Sequence, residues 1–242
     1  MNPLRFFAAL VLFALLPGTA LTFWGFATRF VHARSLALPL AIGTVAGFFL
    51  ELFIARVFPA FEVFEHELTH AIAAILLLRP VTEFKARREG GFVQHGGGFG
   101  GELGNDFIGL APYLLPTFTV ISVLVRPFLG REWFPWFDGW IGLTFGYHTR
   151  STAAEIRSNW HKSLFARVAS GESTRSDIGQ RGYVYSAIFI STMTFAIHGL
   201  LVAILLRGYH GVPAWLHQVW EATKHLAIAG ASFARGLART AG

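Results

Sequence analysis

The sequence predicts an all-α polytopic membrane protein of about six transmembrane helices, with a small β-hairpin after the third. Three observations predict it. Mean hydropathy is +0.50 and only 14% of residues are charged, against about a quarter in an ordinary soluble domain. Apolar runs of about 20 residues, enough to cross a bilayer, recur along the chain. Between them lie Pro, Gly and basic residues of the kind that end spans. The absence of cysteine excludes disulfides, Cys-ligated zinc and thiol nucleophiles, and leaves His, Asp and Glu as metal ligands. A net charge of +6 and a pI of about 10.2 fit basic loops against anionic lipid, so no nucleic-acid partner is expected.

The elements follow in order within one domain covering 1–242. The first span is 4–26; its basic start and the small residues Gly18-Thr19-Ala20 also fit a cleaved signal peptide over 1–20, but hydrophobicity continues to Phe26. The second is 36–58, with Glu51 near an end or turned into the bundle. Pro59 breaks the helix, and a third span covers 61–78. Residues 81–104 read as a hairpin, turning near Arg88-Glu89-Gly90, and a glycine-dense loop in which His95 is a surface residue. The fourth span, 107–128, is interrupted by Pro112 and Pro116. The fifth is 133–150, followed by a hydrophilic basic loop over 149–181. The last span is 183–206, and 215–237 reads as an amphipathic helix in the membrane interface. Six spans place twelve Lys and Arg on the side of the hairpin and basic loop and eight on the other, which favours that side as cytoplasmic.

The third span carries the chemistry. His66-Glu67-Leu68-Thr69-His70 is an H-E-x-x-H sequence with roughly 0.02 chance matches expected at this composition. Residues four apart share a helix face, so both imidazoles can reach one metal ion, with Glu67 placed to take a proton from water. Glu62, Glu65, His66, Glu67 and His70 stand among apolar neighbours. Each would cost about 2.5–3.5 kcal/mol if charged and unpaired near a bilayer centre. A metal and a wet cavity would offset that cost. A second polar stripe follows in His148, Ser151, Thr152 and Glu155, three and four apart.

These residues, with Val81-Thr82-Glu83-Phe84, the glycine stretch, Gly104-Asn105-Asp106-Phe107 and Leu110-Ala111-Pro112-Tyr113, resemble the site-2 protease family of intramembrane zinc metalloproteases over about 61–116. The resemblance implies a zinc-dependent endopeptidase that cuts the transmembrane segments of protein substrates within the bilayer, with His66 and His70 as zinc ligands and Glu67 activating water. It is closest to compact bacterial members, which implies a multi-pass protein of the bacterial cytoplasmic membrane. Members of the family take a third ligand from an aspartate in a Leu-Asp-Gly sequence of a later span. Here Pro135-Trp136-Phe137-Asp138-Gly139 is a partial echo. His148, in Gly146-Tyr147-His148-Thr149-Arg150, begins the second polar stripe and ranks first; Asp138 follows, then Asp177 and His198. The hairpin could hold an unwound substrate by edge pairing, and Asn105 could help orient it. The rival reading is a non-enzymatic metal-binding protein or metal transporter using the same His and Glu cluster.

Overall fold

The computed structural model describes residues 2–169 and 177–240, with side chains described in 2–158 and 177–235. The chain divides into two compact units: Ser35–Ser186, and Asn2–Arg34 with Ala187–Gly242. Nine helices and one two-stranded sheet are described: α1 (Pro3–His32), α2 (Arg34–Val57), α3 (Pro59–Leu76), β1 (Val81–Arg87), β2 (Gly90–His95), α4 (Gly101–Leu110), α5 (Thr117–Val125), α6 (Phe134–Ala169), α7 (Asp177–Arg181), α8 (Tyr183–Arg207) and α9 (Gly211–Thr240). Among the described residues three helical stretches are long and apolar enough to cross a membrane: α1, α2 and Tyr183–Arg235. A fourth results if Gly101–Tyr113 and Thr117–Phe128, bent by 89°, form one span. The expected third and fifth spans fall outside this set. Glu62, Glu65 and Glu67 dilute the apolar surface of α3, and α6 opens among Trp, Gly and Tyr with Asp138.

In the first unit, α2 and α6 meet through small residues. A Cβ at Gly43 would lie 1.9 Å from the Gly139 carbonyl oxygen, one at Gly47 2.0 Å from that of Leu143, and one at Gly142 2.0 Å from that of Leu40. Only hydrogen fits there. Such small-residue contacts let backbones approach in membrane bundles. Along α5 and α6, Thr119 meets Thr144 at 3.0 Å and the Trp140 indole donates to Ser122 at 3.0 Å.

Pro59 opens α3, where its missing N–H is no loss. The helix ends in a Schellman motif: Arg79 N–H donates to Ala74 O at 2.9 Å and Leu78 N–H to Ile75 O at 2.9 Å. The left-handed residue is Leu78, φ 55°, where glycine is usual. Arg79 then turns inward, 4% exposed, and donates to the carbonyls of Phe99 and Gly101 and to the Asn105 side chain. Gly98 and Gly104 leave room for it. This staple fixes the glycine-dense loop and the start of α4. Alanines then join the two helices, Ala73 and Ala74 packing with Ile108 and Ala111.

The hairpin forms as expected, antiparallel, with Arg87 opposite Gly90 and a bulge between Val81 and Glu83. The Pro112–Pro116 stretch does more than interrupt a helix; it bends the path by 89°. Both prolines lack the N–H a continuous helix would need there.

From Thr149 onward the structure departs from the expected loop, because α6 continues to Ala169. Residues 149–169 contain neither Gly nor Pro, and hydrophilicity alone does not end a helix. The stretch 170–176 of the expected loop lies outside the described residues.

In the second unit α1 opens on an Asn2 side chain that accepts from Arg5 N–H at 2.8 Å. Gly18 lies against Thr223 of α9, and Phe23 meets Phe195 at 5.5 Å. Phe26, Ala203 and Trp215 form a core. The start of α9 is thus packed, whereas its side chains from Lys224 to Arg235 are exposed.

Candidate metal centre

On α3 the side chains of Glu65, Glu67, Thr69 and His70 are buried, with the half-buried His66 beside them. His66 Nε2 and His70 Nε2 lie 3.1 Å apart. Each ring's other nitrogen is taken: His70 Nδ1 is 2.7 Å from Ile108 O, and His66 Nδ1 is 2.9 Å from Glu155 Oε2. A carbonyl and a carboxylate can only accept, so both Nδ1 atoms donate. In the neutral rings the two Nε2 atoms then face each other with bare lone pairs. That contact is repulsive unless positive charge sits between them.

Asp177, at the start of α7, completes the group. Its Oδ2 lies 3.7 Å from each Nε2. Ligands about 2.0–2.1 Å from a tetrahedral metal stand roughly 3.3 Å from one another. The spacings 3.1, 3.7 and 3.7 Å come within about 0.4 Å of one face of such a tetrahedron. Among the described residues His66, His70 and Asp177 are the one such cluster. The donor set, two imidazoles and a carboxylate with outer partners on both rings, fits a borderline metal such as zinc.

Glu67 borders two cavities. One, of about 420 Å³, is lined also by His66, Glu62, Glu155 and Gly91; the other by His70, Asp177, Asn105 and Gly91. Strand β2 lies directly on this carboxylate, for a Cβ at Gly91 would be 2.5 Å from Glu67 Cγ. Glu155 is shared: its second oxygen accepts from the Tyr113 hydroxyl at 2.8 Å.

No family model, curated protein or solved structure matches the chain.

The other candidates for third ligand lie elsewhere. His148, ranked first from the sequence, is buried with Nδ1 3.5 Å from Glu65 and Nε2 3.3 Å from Thr152. The polar stripe on α6 does reach the centre, but through Glu155, two turns and about 10 Å further on. Asp138 is held by Arg126 in a two-pronged pair at 2.5 and 2.9 Å. His198 bonds the Thr194 carbonyl one turn back at 2.8 Å, as a packing histidine does. The Asn105 side-chain oxygen is taken by Arg79 rather than left for a substrate. His95 ends β2, half-buried, with Nδ1 3.1 Å from Gly96 O.

Sequence reasoning placed no site role on Glu155, Tyr113 or the Ile108 carbonyl. Only Glu155 had a signal, its place in the stripe from His148. A backbone carbonyl has none.

Proposed function

We propose that the protein is an intramembrane zinc-dependent endopeptidase that hydrolyses peptide bonds of membrane-embedded protein substrates. The observation that carries the reading is the 3.1 Å approach of the two Nε2 atoms beside the Asp177 carboxylate, with Glu67 on the adjoining cavities. His66, His70 and Asp177 would hold the metal. Bound zinc supplies a Lewis acid that polarises a carbonyl and lowers the pKa of a water toward ~7.

The remaining work falls to the chain's own groups. Glu67 takes the proton from the attacking water as its oxygen bonds to the peptide carbon. It then returns that proton to the amide nitrogen as the C–N bond breaks. Glu155 and the Ile108 carbonyl keep both imidazoles in the tautomer that turns Nε2 inward. A helical substrate hides its carbonyls and must unwind; β2, which passes Glu67 at Gly91, offers a backbone edge to hold an extended segment.

In this reading α3 and α6 bring the number of spans to six, in the cytoplasmic membrane of a bacterium. Their polar faces would turn inward, as ionisable residues in membranes do, and the glycine contacts of α6 with α2 suit that setting. Reconstitution with transmembrane peptides tests the proposal. Wild type is expected to hold about one zinc and to cut; Glu67→Gln is expected to hold zinc and to lose cleavage by about 10²–10⁴-fold. Undiminished proteolysis in that variant overturns the assignment.

A further inference from the structure

Asp177 comes to the centre on a helix of five residues, too short to persist on its own hydrogen bonds. Besides the buried Ile178 and the Ser186 hydroxyl that donates to its carbonyl at 3.1 Å, Arg181, one turn later, ties it down. Arg181 Nε faces Asp106 Oδ1 at 3.2 Å as an ion pair. Nη2 donates to the Asn105 carbonyl at 3.1 Å, and Nη1 donates to the Asp177 carbonyl at 2.9 Å. Nη1 also stands 3.6 Å from Asp177 Oδ1.

The two carboxylate oxygens of Asp177 are therefore divided. Oδ2 faces the histidine pair, and Oδ1 faces the guanidinium. Asp106 on α4 is fully buried and the Arg181 side chain only 13% exposed, so the anchor is a desolvated pair, not a screened surface one. Gly109 makes room for it: a Cβ there would lie 1.8 Å from Nη2. A planar fork can serve Asp106, the Asn105 carbonyl and Asp177 together, whereas an ammonium is a single point of charge. Helix α4 also supplies the Ile108 carbonyl that orients His70.

We infer that Arg181 is a positioning residue for the third ligand, tying Asp177 to α4 so that one helix sets the attitude of both His70 and Asp177, and thereby setting metal affinity. The inference rests on the centre holding a metal and not on proteolysis.

The test uses full-length protein in detergent. Zinc affinity is read by competition with a chromophoric chelator, and the ligand field by visible absorption after loading with cobalt. Arg181→Lys keeps the charge and is expected to weaken zinc about 10–100-fold and to shift the cobalt bands. In an Asp177→Ala background the same change is expected to cost nothing further, since its effect runs through Asp177. Gly109→Ala, which displaces the guanidinium without removing it, is expected to act in the same direction as Arg181→Lys. Unchanged affinity in Arg181→Lys overturns the inference, and so does an equal loss in both backgrounds, which marks general damage to the fold. If Asp177→Ala binds as wild type does, Arg181 loses this role while the histidine pair keeps its own. A wild-type chain that takes up neither metal sinks the proposed function as well.

Discussion

Nε2 of His70 stands 3.1 Å from Nε2 of His66 while both Nδ1 atoms face acceptors, so in the neutral rings neither nitrogen has a proton to place between them. Their rings meet edge to face, with centroids 4.8 Å apart, and with the Asp177 carboxylate they form a group that could hold a metal ion.

Metal content separates the ligands from their neighbours. Asp177→Ala is expected to lose most of the bound zinc and His148→Ala to retain about one per chain, because His148 faces Glu65 and Thr152 instead of the centre. Elemental analysis of the purified variants checks this; the reverse pattern would restore His148 as the third ligand.

Glu155 contacts the His66, His70 and Asp177 cluster through His66 Nδ1. Replacing it by Ala is expected to weaken zinc binding about 10–100-fold, the usual effect of removing an outer partner, with partial recovery in Glu155→Gln, whose amide oxygen can still accept. Chelator competition measures the difference. Equal affinity in all three forms would show that the 2.9 Å contact does not orient the ring.

Leu78 closes α3 with φ 55° and is 81% exposed. Leu78→Gly removes the strain of a side chain in the left-handed region and gives up little packing, so a gain of about 0.5–1 kcal/mol is expected. Thermal unfolding in detergent, wild type against variant, reports it as a raised midpoint.

Gly47 sits where a Cβ would meet the Leu143 carbonyl at 2.0 Å, so Gly47→Ala has to push α2 from α6, at about 1–3 kcal/mol. Gly25 has nothing within 4 Å. Gly25→Ala is expected to be neutral or stabilising, since Ala suits a helix better by about 1 kcal/mol. A similar response of the two variants in the same unfolding assay would argue against close packing of α2 on α6.

Several features were legible in the sequence because they depend on local rules. The i, i+4 histidines share a face whatever surrounds them. The hairpin follows from a turn flanked by short strand-like runs, and the helix start at 59 from a proline that fits only a first turn. The stripe from His148 to Glu155 was correct as a face of α6. Its depth relative to α3 was not readable, since nothing local tells how far two helices slide past each other. Hydropathy is a poor guide to the stretch after Thr149: its polarity suggests a loop, yet residues 149–169 contain no helix breaker and continue α6.

By itself, then, the sequence determined the apolar helical character of this protein, the two histidines and glutamate of one helix face, and the hairpin that follows. Tertiary structure alone decided that Asp177, more than a hundred residues further on, stands across from that face, that Glu155 and the Ile108 carbonyl take up the outer nitrogens, and that Asp138 is spent on Arg126. The reason is physical. Spacing within a helix is set by its pitch, whereas a contact between distant segments is set by where glycines, prolines and buried ion pairs let the helices come to rest.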